Sequence, residues 1–503
     1  MSKVLIISID ALDSILLSRF ESDLPYLRKL RQESPDIKLT SVQPPDSDTA
    51  WASIHTGLNP AKHGIVHFID PLDKASSLLS EEASHANLRG NTYWDYASKA
   101  NKKVCILFPH LGYPVWEVNG VMVARPTIGD NIQAFPQSIS EEEWLPSLIG
   151  VKGFPGREKS FNKYLEAQQR LIRNEAEFAL EMLGKYEWDL FFIYSSSLDM
   201  IQHYFWRYCD ENDPGYPGDN PYRNVIKDFY CQYDNFIGQF IDAVDSETVV
   251  IVLSDHGHGM RPVKLVNINE ILRQKGLLVS RGTNVASRNW TYAIERMKRG
   301  ALSFISEHEL GEKARRLLKM FPAWRRIYTS PLSINWQRTV AHVTDMSGIK
   351  SYSYGGITII KENLKDMDYE EVRRAIIAEL SQIREPGTGE SLVNWVCRRE
   401  DLYSGEFITK YPDIVFDLRE DYGAGWAIHD SLFTTAPAHN IVPGSHKAYS
   451  PAFLMANLRN KKCTTKEMTL MDVAPTVLDL LGVKGDFSFD GRSILEEATN
   501  RGR

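Results

Sequence analysis

The sequence predicts an α/β protein: a doubly wound, mainly parallel sheet with an inserted α+β cap lobe. Three observations carry this expectation. Short β-branched runs alternate with longer helix-spaced segments through the first half of the chain, the order of a parallel sheet. Several of those runs end in Asp or His, where open α/β sheets collect their ligands. After Gly259 the alternation loosens, and an apolar strand and a helix return near the C-terminus, as they would around an insertion.

Taken in order, Val4 to Asp10 reads as a first core strand, followed by a helix start at Asp23-Leu24-Pro25, with Asp23 as its cap. Pro44-Pro45-Asp46-Ser47-Asp48-Thr49 puts polar capping residues after a double Pro, so Thr49 is expected at or near a helix N-terminus, where free N–H groups favour an anion. Thr92 to Ala100 reads as a helix and Lys103 to Pro109 as a strand. Ser160 to Tyr186 keeps helical spacing, Asp189 to Tyr194 is a strand, and Asp199 and His203 follow its carboxyl end. A helix from about Tyr222 to Val244 leads into Thr248 to Leu253, a buried strand that delivers Asp255-His256.

Beyond it, Val266 to Lys275, Arg288 to His308, Gly311 to Lys319 and Tyr369 to Ile383 read as helices, between short strands near Gly356 and Asp413. Gly444-Ser445-His446, the apolar Ala452 to Ala456 and a helix from Met471 to Leu481 return to the first lobe. The expected division is a core of residues 1–260 and 426–503 with an inserted cap or substrate lobe at 261–425.

Composition narrows the function. At 503 residues with 43% hydrophobic content the chain can bury a large core, and a net charge of -7 without a long Lys/Arg run argues against a nucleic-acid groove or an anionic membrane surface. Five scattered cysteines fit neither a disulfide framework nor a Cys zinc site. The N-terminal apolar run is too short for a signal peptide, and no run approaches the ~20 apolar residues of a membrane span. A cytoplasmic protein is the expectation.

The residues that carry chemistry are Asp10, Thr49, Asp199, His203, Asp255, His256 and His446. Asp199 and His203 are four apart, so if a helix begins there they share one face and can bind one ion; Asp255 and His256 can serve one metal or two. Two metals about 4 Å apart align a nucleophile and neutralise a phosphoryl group. Thr49 is then the natural nucleophile.

In their order and spacing, Asp10, Thr49 with Thr56-Gly57-Leu58-Asn59-Pro60 and His63-Gly64-Ile65, Asp199 to His203, Asp255-His256 and Gly444-Ser445-His446 resemble the alkaline phosphatase superfamily, in its type I phosphodiesterase/nucleotide pyrophosphatase branch. Asp472 to Gly482 resembles that superfamily's closing helix. The resemblance spans nearly the whole chain and is weakest from Thr283 to Ser330. It implies an alkaline phosphatase-like core and two divalent metals. Asp199, His203 and His446 would hold one; Asp10, Asp255 and His256 would hold the other, with Thr49 touching it as nucleophile. Zinc is the family's usual ion, and the mixed oxygen and nitrogen ligands also suit manganese.

The implied enzyme is a metal-dependent hydrolase of phosphodiester or pyrophosphate bonds in a small phosphorylated substrate, working through a phospho-threonine. One departure touches the substrate: Phe68 stands where the family usually carries an Asn that contacts a phosphoryl oxygen. His67, His258, Lys447 or a backbone N–H are the candidates to replace it. The alternatives are a phosphomonoesterase or phosphonate hydrolase on the same metals and, from another class, a noncatalytic phospholigand-binding protein. His55 and His63 read as structural or rim groups, Tyr204 to Tyr208 as packing, and the basic stretch from Lys313 to Arg326 as a solvated helix face.

Overall fold

The computed structural model describes residues 3–66, 88–126, 131–141, 145–151, 158–281, 334–344, 352–440, 442–458 and 461–496. The apolar runs become strands β1 (Val4–Ile9), β2 (Val104–Leu107), β3 (Gly120–Ala124), β4 (Gln133–Phe135), β5 (Leu190–Ser195), β6 (Val249–Leu253), β7 (Gly257–Met260), β8 (Gly444–Lys447) and β9 (Phe453–Ala456). Seven of them form the central sheet, in the order β9, β6, β1, β5, β2, β3, β4. The five inner strands are parallel; β9 and β4 close the edges antiparallel.

Side chains alternate across this sheet, which is why its strands are apolar on both faces. Leu5, Ile7, Phe191, Ile193, Val250 and Val252 pack with residues of the helices Phe161–Lys185, α2 (Ser197–Cys209) and Val225–Ala243. The opposite face carries α1 (Ser47–Thr56). There Val4, Ile6, Phe192, Ile251 and Leu253 meet α1 and the helices Tyr93–Lys99 and Val473–Leu480. Each such fully buried chain contributes about 1.5–3 kcal/mol, so the central strands fix the positions of their carboxyl ends.

A second unit grows out beyond β7. An antiparallel sheet of Ala341–Val343, Tyr354–Ile359, Ile414–Leu418 and Val393–Arg398 is backed by the helix Tyr369–Leu380. A three-stranded sheet joins Tyr422–Gly425, Lys264–Asn267 and Phe433–Thr435. Their shared apolar cluster includes Ile428 and takes in Leu432 and Phe433 at its border, past residue 425.

Two local expectations are corrected. The segment expected as a helix from Val266 begins as the strand Lys264–Asn267, and the helix is Ile268–Gln274. Val266 lies between Ala424 and Phe433 on neighbouring strands, and this cross-strand pairing outweighs the helical spacing. Asp23 does not cap the helix Pro25–Glu33, whose preceding residue is Leu24; it ends a short 3-10 turn. Asp13 instead caps an unexpected helix, Ser14–Phe20, by accepting from the N–H groups of Ile15 and Leu16. The segments 288–308 and 311–319 and the basic stretch lie outside the described residues.

Candidate active site

Strand ends and one helix start bring the chemistry-bearing residues together. β1 places Asp10 just beyond the sheet, and β6 is followed by Asp255 and His256. α2 begins directly after β5, so Asp199 and His203 stand about one turn apart on one face. His446 comes from far along the chain: β8 pairs antiparallel with β7, with His446 directly opposite His258. This ribbon can lie against α2 only because residue 444 is Gly. A Cβ there would collide with the Gln202 carbonyl and come within 2.6 Å of His258 Nε2.

Thr49 is the third residue of α1. The helix starts where Asp46 accepts from the N–H of Asp48, and it stops at Gly57, whose φ of +67° favours glycine. Its entry touches both metal-ligand candidates' surroundings: the Pro45 carbonyl accepts from His446 Nδ1 at 2.9 Å, Ser47 Oγ lies 3.2 Å from His256 Nε2, and Trp51 Nε1 donates to Asp10 Oδ2 at 3.4 Å. Thr49 itself is fully buried.

Two clusters result. In the first, Asp199 Oδ1 is 3.4 Å from Nε2 of His203 and 3.4 Å from Nε2 of His446, and the two nitrogens are 2.9 Å apart. In the second, His256 Nε2 is 3.3 Å from Asp10 Oδ1 and 3.3 Å from Asp255 Oδ2. Each of these three imidazoles turns Nδ1 to a backbone carbonyl, His203 to Gly444, His446 to Pro45 and His256 to Gly257, which aims Nε2 inward. That is how metal-binding histidines are held.

The fit to a cation also shows in what lacks a partner. Among the described residues, Asp10 Oδ1, Asp199 Oδ1, Asp255 Oδ2 and Thr49 Oγ1 are buried without a hydrogen-bond partner. Left so, each costs about 1–3 kcal/mol or more. Donors on a tetrahedral ion with bonds of about 2.0–2.1 Å lie about 3.3 Å apart, close to the spacings here. Asp199/His203/His446 and Asp10/Asp255/His256 therefore have the composition and spacing to hold two divalent ions.

The model of the type I phosphodiesterase/nucleotide pyrophosphatase family matches residues 4–431. The chain belongs to that family. No curated protein matches this phosphodiesterase-family chain at a significant level. Among solved structures it is similar to murine ectonucleotide pyrophosphatase/phosphodiesterase 5, an inactive threonine-to-alanine variant in complex with AMP, at 13% identity and TM-score 0.51, over 99% of this chain and 100% of that one. The human form of the same protein is similar at 12% identity and TM-score 0.50, with coverage of 99% and 100%. Phosphonoacetate hydrolase from Sinorhizobium meliloti 1021, in complex with phosphonoformate, is similar at 14% identity and TM-score 0.53, with coverage of 96% and 95%. These likenesses establish the alkaline phosphatase-like fold.

Electrostatics of the phosphodiesterase-family site follow from crowding. Burial, then the charges of Asp255 and Asp199, push Asp10 up to about 8, and burial pushes Asp255 up to about 7. Burial lowers His256 to about 4. His446 goes the other way: burial opposes its charge, but Asp199 outweighs burial and raises it to about 9. Crowded carboxylates thus favour protonation of Asp10, Asp255 and His446.

The remaining expected residues are less alike. Lys447 is mostly buried, with Nζ 3.1 Å from Glu420, at a pocket shared with Gln43, Tyr354 and His446. His258 lies within the cluster itself, and His67 and Phe68 lie outside the described residues. His55 and His63 are buried and structural: His55 Nε2 donates to the His110 carbonyl, and His63 Nε2 pairs with Ser53 Oγ, which donates to the Thr49 carbonyl.

Sequence reasoning missed Tyr194 and His110. Tyr194 donates to Asp10 Oδ2 at 2.5 Å, and its hydroxyl lies 3.3 Å from His110 Nδ1, whose Nε2 pairs with Asp48 at 2.7 Å. The signal available was register, since Tyr194 sits beside Ser8, two residues before Asp10, at a ligand-bearing strand end. Tyr194→Phe should leave Asp10 Oδ2 with the longer Trp51 contact and weaken metal binding about 10-fold, measured by chelator competition.

Proposed function

We propose that this protein is a two-metal phosphohydrolase that cleaves phosphodiester or pyrophosphate bonds in a small phosphorylated substrate through a phospho-threonine intermediate. The observation that carries the reading is the convergence of three inward-aimed imidazoles and three buried carboxylates beside the first turn of α1, which bears Thr49. Asp199, His203 and His446 would hold one divalent ion and Asp10, Asp255 and His256 the other, zinc by preference, with manganese suited to the same donors. Such a pair supplies positive charge to the phosphoryl group and to the attacking and leaving oxygens.

The chain's own part follows. Thr49 Oγ bonds to phosphorus as the leaving oxygen departs in line, its proton passing to the departing oxygen; water then attacks phosphorus, breaks the P–O bond to Thr49 and returns a proton to the threonine. The α1 N-terminus favours the oxyanion form of Thr49. That AMP and phosphonoformate are held by the similar structures supports a small phosphorus-containing substrate. In this reading residues 1–260 and 426–503 are the catalytic core and the lobe at 261–425 selects the substrate. Support comes from Tyr352, whose ring lies 6.4 Å from that of His446, and from Glu420, which holds Lys447 beside it. A cytoplasmic location belongs to the same reading, supported by five free cysteines.

The test is turnover of a chromogenic phosphodiester, the matching monoester and a phosphonate by protein reconstituted with zinc or with manganese. Preference for the diester supports the proposal. Preference for the monoester or phosphonate moves the activity to those substrates on the same site, and no turnover with both metals bound favours a binding protein.

A further inference from the structure

Among the described residues, His258 is the imidazole in the cluster that the six-ligand scheme leaves unused. It is 4% exposed, and neither ring nitrogen has a hydrogen-bond partner among the described residues. Its backbone N–H donates to Asp13 Oδ2 at 3.1 Å, and its ring meets the His203 ring edge-on at 4.6 Å and the Trp206 ring at 6.0 Å. Nδ1 points at Asp199 Oδ1 from 3.4 Å, the same distance at which that oxygen faces His203 and His446.

A buried imidazole with both nitrogens unsatisfied is expensive, and the described group facing Nδ1 is the Asp199 carboxylate. Asp199, His256 and His258 also present their donor atoms within 4.8 Å of one another. This triad shares its carboxylate with the first cluster and its His256 with the second.

We propose that His258 is a metal ligand: through Nδ1 it joins Asp199 and His256 in a third donor triad that lies between the two clusters and shares in binding their cations. The inference rests on the two-metal reading above. It makes the centre richer in nitrogen than three histidines would, which favours zinc over manganese.

Cadmium-113 loaded into the wild-type protein tests it directly. A proton–cadmium correlation spectrum should show ring protons of His203, His256, His258 and His446 coupled to metal; coupling to the other three without His258 overturns the proposal. His258→Asn is the second arm, because its amide can donate to Asp199 as an imidazole N–H would, yet is a poor zinc ligand. The variant should bind zinc about 10–100-fold more weakly, with a changed visible spectrum when cobalt is substituted. Wild-type affinity and an unchanged spectrum would show that His258 only hydrogen-bonds to Asp199, and the proposal falls. Melting in chelator establishes that the variant folds, and His203→Ala serves as the control. If wild type binds no metal, the two-metal reading fails as well; if His203→Ala loses metal while His258→Asn does not, only this inference fails.

Discussion

Thr49→Ala is expected to lower kcat by at least about a thousandfold while leaving two metals bound per chain. The substitution removes one hydroxyl from a fully buried position in the first turn of α1 and leaves the Asp46 cap, the Trp51 packing and all six carboxylate and imidazole donors in place. Its effect on folding should therefore be small. The buried hydroxyl has no hydrogen-bond partner, so losing it breaks no network. Metal content by mass spectrometry, read beside turnover of the phosphodiester, separates the outcomes: bound metal with lost turnover is the expected result, and unchanged turnover would remove Thr49 as nucleophile.

Metal removal should produce the second large effect, and its dependence on pH is specific. Chelation should abolish turnover. It should also leave a protein whose melting temperature falls as pH rises from 7 to 8.5. In the folded, metal-free chain Asp10 holds its proton up to about 8 and His446 up to about 9, against ordinary values of 3.8 and 6.5. The folded state thus binds more protons than the unfolded state across that window, and stability declines as those protons are lost. The buried histidines with lowered values, such as His256, act between about 4 and 6.5 and add little above pH 7. In the proposed two-metal reading, added zinc would replace the protons. It should restore the melting temperature most at the alkaline end, with each site contributing about 2.7 kcal/mol at a hundredfold excess over Kd. A gap between the metal-loaded and chelated curves that stays constant with pH would refute this account.

Much of this site was legible because strand ends are where a parallel sheet must place its polar residues. Asp10, Asp199 and Asp255-His256 each follow an apolar run, and the fold brings those runs side by side as β1, β5 and β6. His446 was legible only as part of an ordered series, since nothing local ties Gly444-Ser445-His446 to β7. Tyr194 was hidden by its own strand: in an apolar run a tyrosine reads as packing, and its hydroxyl acquires meaning only when Asp10 lies within reach. His258 looked like an extra histidine next to a motif, and its place became visible through the cross-strand pairing with His446. The strand Lys264–Asn267 was misread because its partners come from residues 422–425 and 433–435, contacts that no local pattern encodes.

The ribbon of β7 and β8 has a consequence for how the site comes into being. His203 and His446 are 243 residues apart, and the first cluster needs both. On a ribosome, where the chain emerges from its N-terminus, Asp10, Thr49, Asp199, His203, Asp255 and His256 would all be outside the exit tunnel long before His446 is made. The second cluster could fill early, while the first would wait until His446 has been made and has cleared the tunnel. A nascent chain stalled before residue 444 should therefore capture one zinc ion where the released protein captures two.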